Sequence, residues 1–167
     1  MKKKSLNFEN ALPGDDVKSD EDWVISIGFL IHDCARLRRI VLDEKYKPLN
    51  ITRSQAWLLA YLSRSEGVPQ SALAELMGLG KVALGGLIDR LEANKLIERR
   101  SDPSDRRVNN IFLTPKGRTV VGKMRQLTLE ANEDILKDIS LEDVKHNYRM
   151  LSQLKHNLQN IKKSLQR

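Results

Sequence analysis

A single cysteine, Cys34, stands among 167 residues. It excludes an intrachain disulfide and any cysteine-rich zinc site, and it agrees with a reducing compartment. The three histidines, His32, His146 and His156, form no recognised metal motif, and neither a metal nor another cofactor is expected. No apolar run approaches the ~20 residues of a membrane span. Met1-Lys2-Lys3-Lys4 is not followed by the apolar core of a signal peptide, and a cytoplasmic protein with no membrane partner is expected. Nucleophile motifs, phosphate-cradling glycine loops and metal-hydrolase patterns are missing as well, so no residue is named as catalytic and the chain reads as a non-enzyme. There is no internal repeat and no low-complexity tract.

What the chain does have is positive charge and helical periodicity. The formal net charge is +7, which fits a polyanionic partner without specifying one. Residues 50–118 carry eleven basic and seven acidic side chains, the largest surplus of any segment. A hydrophobic content of 40% suffices for one packed core.

The coarse organisation follows from spacing. Residues 1–20 mix charged residues, Asn, Pro and Gly without a period and read as a flexible arm. From Trp23, the positions Ile27, Leu30, Ile31, Cys34, Leu37 and Val41 predict a helix with one buried stripe, ending near Tyr46-Lys47-Pro48. Thr52-Arg53-Ser54-Gln55 is a capping box that opens a helix to about Arg64. Gly67-Val68-Pro69 breaks it. A short helix from about Gln70 to Met77 is expected to bury Leu73, Ala74, Leu76 and Met77, with Gly78 as a left-handed terminator. The next helix starts near Lys81, buries Leu84, Leu87, Ile88 and Leu91, and ends at Asn94, a residue that tolerates positive φ.

Leu96 to Arg100 and Val108 to Leu113 are β-rich runs joined by Asp102-Pro103-Ser104-Asp105-Arg106-Arg107, which reads as a hairpin. Thr114-Pro115 then launches a helix that buries Val120, Val121, Met124, Leu127, Ala131 and Ile135. A final helix begins at Ser140, with a narrow seam of Val144, Tyr148, Leu151, Leu154, Leu158, Ile161 and Leu165. The fold class expected is mainly α with a small β-hairpin wing: a winged helix-turn-helix flanked by N- and C-terminal helices.

That order assigns work. A helix of this size fits the major groove of double-stranded DNA, and a basic hairpin tip can reach phosphate or the minor groove. Candidate DNA contacts are Lys81, Val82, Ala83, Gly85, Gly86 and Arg90 on the helix, with Asp105, Arg106 and Arg107 on the wing. A narrow minor groove rewards an inserted arginine, and Arg107 is the candidate. Asp105 would orient it through a bidentate ion pair. Arg90 is a candidate for phosphate, while Asp89 would hold an arginine of the wing or helix. Val82, Ala83, Gly85 and Gly86 offer no side-chain hydrogen bond to a base edge, so readout would rest on thymine methyls, Lys81 and close backbone approach. Adjacent glycines in a helix each cost about 1 kcal/mol relative to alanine, which asks for a steric reason such as DNA proximity or tight packing.

From Trp23 to Leu165 the chain resembles the MarR family of bacterial transcriptional regulators, including its SlyA-like members. The most specific match is Asp105, Arg107, Leu113, Thr114 and Gly117, in the pattern Asp-x-Arg, five residues, Leu-Thr-x-x-Gly. Leu87 to Glu92 followed by Leu96 to Arg99 is similar to the family's recognition-helix ending and first wing strand. The resemblance implies a homodimer on a near-palindromic operator, nucleoid-associated when bound, with one recognition helix per subunit in consecutive major grooves. It divides the chain into a flexible arm at 1–20, a dimerisation helix at 21–49, the winged helix-turn-helix at 50–118 and C-terminal dimerisation helices at 119–167.

It further implies a small-molecule pocket between the dimerisation helices and the winged unit. The basic cluster Arg36, Arg38 and Arg39 suits an anionic ligand such as an aromatic acid or its coenzyme A thioester, and the chain reads as a repressor released by it. Candidate pocket residues are Ile27, Ile31, His32, Arg36 and Arg38 on the first helix, with Trp57 and Tyr61 on the second. Alternatives are a redox-responsive regulator using Cys34, since some members carry a sensing cysteine on that helix, and a DNA-packaging or protein-interaction dimer without an effector.

Overall fold

A computed structural model describes residues 19–165. The arm expected at 1–20 lies outside the described residues except for its last two: Ser19 caps the first helix and Asp20 opens it. The described residues form two compact units, one ending at Met124 and the other starting at Arg125.

In the first unit, α1 runs from Asp20 to Tyr46 and continues into a single 3₁₀ turn, Lys47–Leu49. Its start is a capping box. Ser19 Oγ accepts from the Asp22 amide at 3.2 Å, and the Asp22 carboxylate accepts from the Ser19 amide at 3.1 Å. The helix and its stripe are periodic as expected, yet no residue of α1 is buried. Trp23 is 58% exposed and Leu37 52%. The stripe marks a face able to be covered rather than one covered within this unit.

Next comes α2, Arg53–Leu62, opened by the expected box in which the Gln55 amide donates to Thr52 Oγ1 and the Thr52 amide donates to Gln55 Oε1 at 2.8 Å. Two residues that read only as a helix breaker, Val68–Pro69, form a short strand β1. Proline there sits on a sheet edge, where its missing N–H costs no ladder bond. Helix α3, Gln70–Met77, ends in Gly78 at φ +62°, and α4, Lys81–Ala93, follows after a short turn. The two helices are bent by 112° at the break, within the range of a helix-turn-helix.

Strands β2, Ile97–Ser101, and β3, Asn109–Leu113, make the hairpin, and the sheet order is β1-β3-β2, antiparallel throughout. Pairing Ile97 with Leu113, and Arg99 with Ile111, puts the apolar partners on the core face. The core joins Leu58, Leu59 and Leu62 of α2, Leu73 of α3, Leu84, Leu87, Ile88 and Leu91 of α4, and Ile97, Ile111 and Leu113 of the sheet. Each such side chain contributes roughly 1.5–3 kcal/mol on burial. Because all four inward residues of α4 are spent on this core, its other side is free to face outward.

Two local expectations need correction. Leu76 is 56% exposed; two residues on from Ala74, it lies across the helix from that buried residue and at the edge of the face that buries Leu73. Asn94 is not the left-handed residue at the end of α4: its φ is −80°, and Lys95 takes the turn at +57°. Asn94 instead folds its carboxamide back onto the Arg90 carbonyl at 2.8 Å.

Helix α5, Pro115–Ile135, starts in the first unit, where Met124 is buried and Val120 and Val121 are partly buried. The second unit holds the rest of α5 and α6, Leu141–Leu165. Ser140 caps α6, its Oγ accepting from the Asp143 amide at 3.1 Å. The expected seam is present as a pattern but not as a buried surface, since α6 contains no buried residue. No single described helix is long and apolar enough to cross a membrane.

Candidate nucleic-acid interface

The outward side of α4 begins with Lys81, Val82 and Ala83, all exposed. Val82 is 90% exposed. One turn on, a methyl placed on Gly85 would meet nothing within 4 Å, and on Gly86 only the Arg90 guanidinium at 3.5 Å. Tight packing inside the chain is therefore not the reason for the two glycines. They leave a flat, open patch of backbone beside Val82, and Arg90 is exposed at its end.

Wing and helix are fastened together by Arg99 of β2. Its guanidinium pairs with both Asp89 and Glu92 of α4, and its amide donates to Glu92 Oε1 at 3.0 Å. Asp89 thus holds an arginine of the wing. Partial burial works against the Arg99 charge, but the hydrogen bonds and charges of Asp89 and Glu92 outweigh it and raise the pKa above the ordinary guanidinium value. On β2 the Arg100 guanidinium lies 4.4 Å from the centre of the Phe112 ring.

The tip is built on Asp102. Its Oδ1 accepts from the Ser104 amide at 2.8 Å and the Ser104 hydroxyl at 2.5 Å, and its Oδ2 accepts from Asn110 at 2.9 Å. The Ser104 hydroxyl and amide, then Asn110, hold the Asp102 carboxyl down to about 2. Backbone bonds from Asp102 to Val108 and from Val108 to Asp105, each 2.9 Å, close the loop. Asp105 then takes the Arg107 amide at 3.0 Å and its Nε at 3.3 Å on the same oxygen. In place of the expected bidentate pair, a single carboxylate oxygen serves both the Arg107 amide and its Nε. The Arg107 side chain remains 93% exposed, so the loop is ordered while its cation is presented outward.

The root of the wing explains the Leu-Thr-x-x-Gly spacing. Thr114 Oγ1 donates to the Lys95 carbonyl at 2.6 Å and accepts from the Gly117 amide at 3.0 Å, tying α5 to the end of α4. Gly117 sits so close that a Cβ there would fall 1.9 Å from the Leu96 carbonyl oxygen.

Two clefts flank these elements. One, about 300 Å³, is lined by Asp43, Tyr46, Ile51, Arg53 and Ser54. In it the hydrogen bond from Arg53 holds the Asp43 carboxyl below its usual range. The other, about 360 Å³, lies between α3, α4 and the wing and is lined by Gln70, Ser71, Ala74, Lys81, Leu84, Arg107, Val108 and Asn109. The structure thus brings Lys81 and Arg107, far apart in sequence, onto one cleft. Gln70, Ser71 and Asn109 join them without any motif to announce them.

Neither cleft is lined by Ile27, Ile31, His32, Arg36, Arg38, Trp57 or Tyr61. Trp57 and Tyr61 lie ring to ring at 5.8 Å, and Arg36 pairs with Asp33 at 3.1 Å on the surface. Cys34 is exposed.

Residues 49–108 match the model of the MarR family. A MarR transcriptional regulator from Methanosarcina mazei Go1 is 25% identical over 81% of this chain and 97% of its own, with a TM-score of 0.73. The transcriptional regulator SlyA is 25% identical, covering 79% of this chain and 93% of its own, with a TM-score of 0.69. A mutant MarR from E. coli complexed with operator DNA shares the fold at a TM-score of 0.68, with 23% identity over 82% of this chain and 99% of its own.

Proposed function

We propose that the chain is a DNA-binding transcription regulator of the MarR family acting as a homodimer, a reading supported by the family model over residues 49–108 and by the likeness to a MarR regulator. The observation that carries the reading is the outward side of α4, open at Val82, Gly85 and Gly86, fastened by Arg99 to a wing that presents Arg107. In use, α4 enters the major groove and Arg107 the adjacent minor groove, with Arg106 and Arg90 on phosphates. Val82 meets a thymine methyl, and the two glycines let the backbone come close to the base edges. Solved relatives support this course: a mutant MarR complexed with operator DNA and a MepR variant bound to an oligodeoxyribonucleotide.

The second copy covers the exposed stripes of α1 and α6, placing two recognition helices on a near-palindromic site. The finer reading is a repressor whose grip a small aromatic or anionic molecule releases. Its support is the Trp57–Tyr61 ring pair together with Arg36 and Arg38 on α1.

Titrating a duplex selected from a random pool at several salt concentrations tests the DNA reading. Binding should weaken steeply with salt, and Arg107→Ala should cost about 1–3 kcal/mol and flatten the dependence by roughly one unit of slope. A wild-type affinity indifferent to salt, or an Arg107→Ala titration that overlays it, would contradict the assignment.

A further inference from the structure

We propose that the cleft between α3, α4 and the wing is a saddle for one backbone phosphate, that of the DNA strand dividing the two grooves, with Ser71 and Lys81 gripping it and Asn109 on the opposite wall. The inference rests on the DNA-binding reading and adds residues to it that neither the recognition helix nor the wing tip supplies.

Three observations converge. None of the eight residues lining the cleft is acidic, although Lys81 and Arg107 both line it. Arg107 is answered from outside the lining by Asp105, as Arg53 is by Asp43 in the other cleft, so Lys81 is the lining cation without a carboxylate partner among the described residues. Further, the side chains of Gln70, Ser71, Lys81 and Asn109 make no hydrogen bond or ion pair among the described residues, whereas most polar side chains of the neighbouring wing loop are engaged. An unpaired ammonium and side-chain donors gathered in one concavity with no acidic lining residue suit an anion.

The third observation is topological. Lys81 opens the helix assigned to the wide groove, and Arg107 tips the wing assigned to the narrow one. Adjacent grooves are separated by one sugar-phosphate strand, so a duplex engaged at both places must carry that strand across the gap between them, which is this cleft. A phosphate there supplies acceptors for the Ser71 hydroxyl, the Lys81 ammonium and the Asn109 carboxamide. Such a contact carries no base information; it fixes where along the duplex α4 sits.

The test uses the full-length chain and the selected duplex. Ser71→Asp places a carboxylate at the second position of α3, where a helix favours negative charge, so the fold should survive and the melting temperature should hold. Its affinity should fall at least tenfold, by the same factor on the selected duplex and on a scrambled one. Single neutral methylphosphonate linkages, walked along each strand, should weaken the wild type most at one position per half-site, between the segments covered by helix and wing. At that position Ser71→Asp should add little further loss.

Wild-type affinity in Ser71→Asp, or a methylphosphonate walk with no such position, would overturn the saddle while leaving the DNA reading intact. Inorganic phosphate that shifts the Ser71 and Asn109 amide resonances with no methylphosphonate position found would assign the cleft to a free anion and also overturn it. A wild type that binds no duplex would overturn saddle and function together.

Discussion

Gly117 shows how much one missing side chain decides. Thr114 closes a hydrogen-bonded ring between the end of α4 and the start of α5, and only a residue without a Cβ can lie against the Leu96 carbonyl in that ring. Gly117→Ala should therefore destabilise the chain by about 2 kcal/mol or more and lower its Tm by roughly 4–8 °C. A thermal melt unchanged from wild type would contradict this. Asp102 makes a complementary prediction at acid pH. Its carboxyl sits near 2 in the folded wing against 3.8 when unperturbed, so its contribution is complete above about pH 4 and fades as the pH falls from there toward 2. Following the Asp102 carboxyl and the Ser104 amide by NMR should give a shared midpoint near 2. A midpoint at the ordinary aspartate value would mean the tip is not held as described.

Among elements, α4 and the wing behave as one piece because Arg99 pairs with Asp89 and Glu92 across them. The hairpin, the glycine turn and the Thr52–Gln55 capping box were legible from sequence because they rest on local rules of φ and of side-chain-to-backbone bonding, whereas the Ser19–Asp22 box fell at the edge of residues read as an arm. Strand β1 was not: two residues, one of them proline, carry no period, and only pairing with β3 makes them a strand. Gln70, Ser71 and Asn109 were invisible for a related reason, since their meeting depends on how α3 and the hairpin pack rather than on spacing. The apolar stripes of α1 and α6 were readable as patterns, but periodicity says which residues share a face, not what covers it. A second copy is the occupant proposed. Leu37→Glu on α1 should turn a dimer into monomers in sedimentation velocity and weaken DNA binding in parallel. A dimer that persists undisturbed would remove α1 from the interface.

At the scale of the whole molecule, the proposed regulator divides its tasks. A leucine-rich core fixes the relative pose of helix and wing, while the exposed cations and the open glycine patch are left to meet a duplex. Much of that division was already written in the charge surplus of residues 50–118 and in the wing motif. The most direct test is a hydroxyl-radical footprint on a duplex selected from a random pool. The account predicts two protected half-sites about one helical turn apart, each with a flanking minor-groove segment that reappears as cleavable in Arg107→Ala. Uniform protection along the duplex, or flanks unchanged by Arg107→Ala, would contradict it.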